Sequence, residues 1–290
     1  MLSQVVNKSE FSLKISNMQM HGLVFGEAQK KPILALHGWL DNAASFELLA
    51  TQVQSKKIIA LDLMGHGRSS HRPPNQSYYI WDNVTDIYRV MQALSIEKID
   101  LIGHSLGASI AMLFAACFPE KVDKLFLIDG GVPLFCSTAQ LPAKMATAIR
   151  QRAKDRSGII KCYPNIQSMV DARANSRFPV SQAASKLLVA RGVKEVAGGY
   201  YWSTDPALLL PSVKRLTKME IEVFLKAVQS PVHIYLADQG LSHDRWLPYF
   251  SLFENKTITT VAGNHHLHMQ VSGAKEIGFL IDSVNACVGL

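Results

Sequence analysis

The chain has 290 residues, 48% of them hydrophobic and 18% charged, a balance that excludes disordered and fibrous classes and supplies enough chain for a core without disulfide staples. The formal charge of +7 is concentrated in one internal stretch. Residues 134–226 hold fifteen Lys and Arg against six Asp and Glu, a net of +9, so the rest of the chain is slightly acidic.

In chain order, residues 11–17 (FSLKISN) and 20–26 (MHGLVFG) predict two short antiparallel strands. The compact apolar run at 32–37 (PILALH) has the character of a parallel strand covered on both faces. Helical spacing at Phe46, Leu49, Ala50 and Val53 predicts a helix over 43–54, and 57–63 (KIIALDL) a second buried strand, followed by the turn MGHGRSS at 64–70. A helix over 80–94, a strand over 98–103 (KIDLIG), an apolar helix over 106–118 stopped by Pro119 and a strand over 122–129 (VDKLFLID) complete the first part. This alternation means βαβ units and a mostly parallel sheet. It breaks at Gly130–Gly131. From there to about residue 229 the pattern is helical, basic and interrupted by prolines, with no clear strand. Strand character returns at 231–237 (PVHIYLA) and 256–262 (KTITTVA), and a last amphipathic helix covers about 269–284.

The chemistry centres on Gly103-His104-Ser105-Leu106-Gly107, a G-x-S-x-G set between a buried strand and a helix. A turn that sharp strains the serine backbone, needs glycines where side chains would clash, and lifts the hydroxyl above the sheet beside a helix N-terminus. A neutral serine needs a base within hydrogen-bond reach. His265, directly after the last predicted strand in Gly263-Asn264-His265-His266-Leu267-His268, is the candidate, with His268 packing nearby to hold the loop. The N–H groups of Trp39 and Leu106 are the candidate oxyanion donors. The Trp39 and His104 side chains are candidate substrate contacts. Asp62 is expected to fix the 64–70 turn, His66 and Arg68 to be structural, and Asp41 to cap the helix that follows it.

The segments HGW, DLMGHGRSS, GHSLG and GNHHLH, in this order and spacing, resemble the α/β-hydrolase fold superfamily. HGWLDN at 37–42, GHGRSSHRPP at 65–74 and Gly263-Asn264-His265 resemble, more narrowly, the serine hydrolase-like protein family. The resemblance implies an α/β fold with a mostly parallel eight-stranded sheet: a core of residues 1–133 and 229–290, and a helical cap, 134–228, inserted after the sixth strand. It also implies a triad acid. The superfamily usually places it after the strand matching PVHIYLA, but the expected position here is Gly240. Two candidates remain: Asp129, at the end of the preceding strand and favoured, and Asp238, two residues early.

The implied activity is hydrolysis of an ester or thioester through an acyl-enzyme on Ser105. Carbon–carbon hydrolysis, perhydrolysis and non-catalytic binding of a small ligand are the alternatives. A serine at position 105 disfavours epoxide hydrolase and dehalogenase chemistry, which use aspartate there. The basic segment would suit an anionic small-molecule substrate. No cofactor is expected. Three histidines in four residues invite a metal, but no acidic or histidine cluster at ligand spacing accompanies them. No zinc-finger or RNA-binding signature suggests nucleic acid, and no apolar run reaches the roughly 20 residues of a membrane span. Cys117, Cys136, Cys162 and Cys287 form no C-x-x-C pair, and the N-terminal MLSQVVNKSEF does not read as a secretion signal, so a cytoplasmic location is expected.

Overall fold

A computed structural model describes residues 7–74, 76–154, 161–241 and 243–286. Its main sheet has eight strands: β1 (Lys8–Ile15), β2 (Met18–Phe25), β3 (Pro32–Leu36), β4 (Lys57–Leu61), β5 (Ile99–His104), β6 (Val122–Ile128), β7 (Val232–Gln239) and β8 (Lys256–Asn264). They lie in the order β1-β2-β4-β3-β5-β6-β7-β8. The β1–β2 and β2–β4 pairings are antiparallel and the other five are parallel. The continuous apolar runs become the central strands because both faces are covered: every residue of β5 is buried. At the edge, β1 is mostly exposed.

Helices α1 (Ile80–Ala93) and α2 (Leu106–Cys117) cover one face. There Ile87, Val90, Ile110 and Phe114 join Leu34, Leu101 and Leu125 of the strands in one apolar cluster. Phe46, Leu49, Ile277 and Ile281 pack on the other face with Ile33, Ile102 and Phe126. The long helix expected at 43–54 is instead a 3-10 turn, Ala43–Phe46, and one α turn, Glu47–Ala50. Beyond it the chain is held differently, because the Asp282 carboxylate accepts the N–H groups of Gln54 and Ser55. All four apolar positions that suggested the helix, Phe46, Leu49, Ala50 and Val53, are nonetheless buried in the core.

Between β6 and β7 lie α3 (Leu141–Arg152), α4 (Ile166–Ala174), α5 (Gln182–Gly192) and α6 (Lys218–Ala227). The expectation of no strand in this stretch is corrected. Val193–Val196 pairs antiparallel with Gly199–Trp202 around an Ala197–Gly198 turn, with Gly198 at φ +93°, and Phe135–Cys136 pairs with Leu216–Thr217. The β-branched and aromatic residues on either side of the glycine carry the hairpin signal. Helix α6 packs on α2 and buries Ile221 and Leu225 in the same cluster, so the end of the inserted segment belongs to the helical layer of the sheet. Among the described residues no helix is long and apolar enough to cross a membrane.

Candidate active site

The turn from β5 to α2 places Ser105 at φ 51°, ψ −111°, a conformation that costs a non-glycine residue about 1–3 kcal/mol. Neighbouring backbone enforces it. A Cβ on Gly103 would come 2.4 Å from the Gly107 carbonyl, and one on Gly107 would come 2.0 Å from the Leu36 oxygen. The Ser105 N–H is tied to Ile128 O (3.0 Å), which anchors the turn to β6.

His265 follows β8 and brings its Nε2 to 3.0 Å from Ser105 Oγ. Its Nδ1 lies 2.6 Å from Asp129 Oδ2. One neutral tautomer satisfies both contacts: Nδ1–H donates to the carboxylate, and Nε2 accepts from the serine hydroxyl. Asp129 is fully buried at the end of β6, with φ 40°. Its Oδ1 accepts Ala237 N–H and its Oδ2 accepts Leu241 N–H, both at 3.1 Å. Donors aimed at both oxygens stabilise the ionised form.

Gly240, where an acid was expected from the resemblance, makes room for this carboxylate. A Cβ there would fall 2.4–2.7 Å from Asp129 Oδ1, Oδ2 and Cγ. Asp238 points elsewhere. Its Oδ1 accepts Gly263 N–H at 2.8 Å, so it supports the loop leading to His265.

His37 and Gly38 end β3 at the loop that carries Trp39. His37 Nδ1–H donates to Gly38 O (2.7 Å), while Nε2 accepts Leu63 N–H (3.0 Å). His66 likewise accepts Leu40 N–H at 3.2 Å. Burial pushes these imidazoles down to about 4 for His37 and about 3 for His66. Asp62 accepts the N–H groups of Ala43 and Arg68, which holds the 64–70 turn as expected. Among the described residues no hydrogen bond takes up the backbone N–H of Trp39 or Leu106. The Trp39 side chain is half exposed, and its indole N–H donates to Leu208 O in the inserted segment.

Two expectations need correction. His104 cannot touch a substrate. Its side chain is fully buried, and Nε2–H donates to the His265 carbonyl at 2.8 Å. Asp41 does not cap the following helix; Asn42 does, accepting Ala44 N–H. The Asp41 carboxylate instead meets Arg173 of α4 (Oδ1, 2.8 Å) and His266 Nε2 (Oδ2, 3.1 Å).

Asp41, His104 and His266 each offer an atom within 4.8 Å of the others, as a metal site would require. Sequence spacing gave no hint of this convergence. The donor set suits a divalent ion poorly, because the Arg173 guanidinium already neutralises its one carboxylate and lies 3.1 Å from His266 Nε2. His268 is fully buried beside His104 and Phe46, and burial pushes it down to about 3.

These features define an α/β hydrolase. A family model described as the alpha/beta hydrolase fold matches residues 31–157. The chain is 30% identical to human serine hydrolase-like protein 2 over 96% of its own length and 94% of that protein's. It is 29% identical to a zebrafish (Danio rerio) serine hydrolase-like protein, over 90% and 84%. A crystal structure of a hypothetical protein from Pseudomonas aeruginosa PAO1 superposes with a TM-score of 0.91 at 35% identity, covering 96% of this chain and 99% of that one. The chain belongs to the serine hydrolase-like family of α/β hydrolases.

Proposed function

We propose that the protein cleaves an ester or thioester of a small to medium substrate through an acyl-enzyme on Ser105. The observation that carries this reading is the continuous hydrogen-bonded series from Ser105 Oγ through His265 to Asp129. His265 Nε2 takes the hydroxyl proton as Oγ attacks the acyl carbon. The developing oxyanion is received by the free N–H groups of Trp39 and Leu106. Nε2–H then protonates the leaving group. His265 next deprotonates a water that attacks the acyl-enzyme, and collapse of the second tetrahedral intermediate returns the proton to Ser105. Asp129 stays ionised throughout, fixing the tautomer and balancing the imidazolium.

We read residues 134–228 as the segment inserted into the core formed by 1–133 and 229–290, with 134–217 as the cap and α6 joining the helical layer of the core. The cap's Phe178 ring stands 4.9 Å from His265, and the exposed Arg177 guanidinium lies over Phe178. This arrangement supports a carboxylate or phosphate on the substrate.

The test is turnover of p-nitrophenyl esters from acetate to octanoate by wild type and Ser105→Ala. Turnover abolished by Ser105→Ala supports the reading. Absence of any Ser105-dependent turnover would overturn it in favour of a ligand-binding role.

A further inference from the structure

Arg173 joins three parts of the proposed site that the sequence keeps far apart. Its Nη2 lies 2.8 Å from Asp41 Oδ1, in the loop carrying the Trp39 oxyanion donor, and 3.1 Å from Nε2 of His266, the residue after the proposed base. Its Nη1 donates to Phe178 O (2.9 Å) and Ser176 Oγ (3.0 Å), which holds the Phe178 ring beside His265. Asp41 and His266 are almost completely buried. A buried carboxylate demands a counter-charge, and among the described residues the permanent one in contact with Asp41 is Arg173.

We propose that Arg173 is a positioning residue that makes closure of the cap the event that fixes the His265 loop. The inference rests on the hydrolase reading given above. With α4 seated, the guanidinium bridges the Asp41 loop to the His266 loop, and Phe178 closes over His265. With α4 withdrawn, His266 is the one hydrogen-bonding side chain left to the Asp41 carboxylate among the described residues, with the neutral His104 ring near it. The imidazole then meets the need for positive charge by taking up a proton. Cap closure and a neutral His266 are therefore linked: whatever seats Arg173 expels that proton and aligns the loop.

The groups facing His266 agree with this. Asp41 favours its protonation, while Arg173 and His265 oppose it, and His104 and His268 add only neutral rings. Burial first, with Arg173 contributing, holds His266 below the ordinary histidine range. Burial pushes the Asp41 carboxyl up, yet His266 and Arg173 together hold it well below the usual carboxylate range.

The experiment compares wild type, Arg173→Gln, Arg173→Lys, Asp41→Asn and Asp41→Asn/Arg173→Gln on p-nitrophenyl butyrate, with Ser105→Ala as the control. The histidine ring resonances are followed by NMR across pH. Loss of a charge-assisted bond predicts that kcat of Arg173→Gln falls about ten- to hundredfold while KM changes less than about threefold. Arg173→Lys, which keeps the charge, recovers part of the loss. In the double variant no buried carboxylate needs a partner, so it folds even where Arg173→Gln does not, and its kcat exceeds the product of the single effects. His266 titrates at higher pH in Arg173→Gln than in wild type. A kcat within about twofold of wild type, multiplicative effects in the double variant, or an unmoved His266 titration would overturn the proposal. Turnover that survives Ser105→Ala would instead sink the hydrolase reading, and the His266 titration would still decide the role of Arg173.

Discussion

Acidification to pH 5.5 should destabilise this protein well before its carboxylates protonate. His37, His66 and His268 are buried as neutral rings, held at about 4, about 3 and about 3 by burial. In the unfolded chain each titrates near 6.5. Between pH 7 and 5.5 the unfolded state therefore binds protons that the folded state refuses, and stability falls with pH. Each ring loses about 1.2 kcal/mol over this window, and the three together about 4 kcal/mol. That is a large part of a typical total of about 5–15 kcal/mol. His104, held well below the ordinary range chiefly by burial, acts in the same direction. Asp41, whose carboxyl is depressed, keeps its contribution until much lower pH. Urea unfolding followed by tryptophan fluorescence at constant ionic strength measures the loss. His268→Leu should recover about one third of it, since among the described residues neither ring nitrogen has a hydrogen-bond partner. A stability change below about 1 kcal/mol between pH 7 and 5.5 would refute the reasoning.

Asp129→Asn should lower kcat about 10³- to 10⁴-fold, because it removes the charge that balances the imidazolium and lets an amide N–H face His265 Nδ1, which favours the wrong tautomer. Asp238→Asn keeps an acceptor for Gly263 N–H and should stay within about threefold; steady-state ester kinetics on both variants checks the pair. Gly240→Ala should reduce kcat by at least about tenfold with little change in far-UV circular dichroism, because the new methyl enters the space of the Asp129 carboxylate. Arg191→Ala should cost about 3–5 kcal/mol in urea unfolding, because it strips the counter-charge from fully buried Asp62.

The strands were legible because their apolar runs are short and continuous, and the Ser105 turn because its glycines are forced by backbone contacts. Other features had no local signal. Asp129 follows β6, and Asp238 lies at the C-terminal end of β7. What separates them is the register of β6 against β7, together with the missing side chain at Gly240, which is visible in the sequence only as a departure from the superfamily's pattern. His104 looked available because it neighbours the serine, yet β5 turns its ring into the interior. Arg173, Asp41 and His266 meet across separations of 132 and 225 residues, so no window of sequence contains them together. The hairpin of Val193–Val196 and Gly199–Trp202 does carry a signal, but one confined to four residues on each side of the turn.

A fluorophosphonate probe tests directly whether Ser105 is an activated nucleophile. Intact-mass and peptide analysis of wild type, Ser105→Ala and His265→Ala after brief exposure at pH 7.5 locates and quantifies the adduct. An activated Ser105 gives one adduct per wild-type chain, on Ser105, none on Ser105→Ala, and labelling at least about a hundredfold slower in His265→Ala. Wild type that stays unlabelled, or that labels as fast without His265, would contradict it.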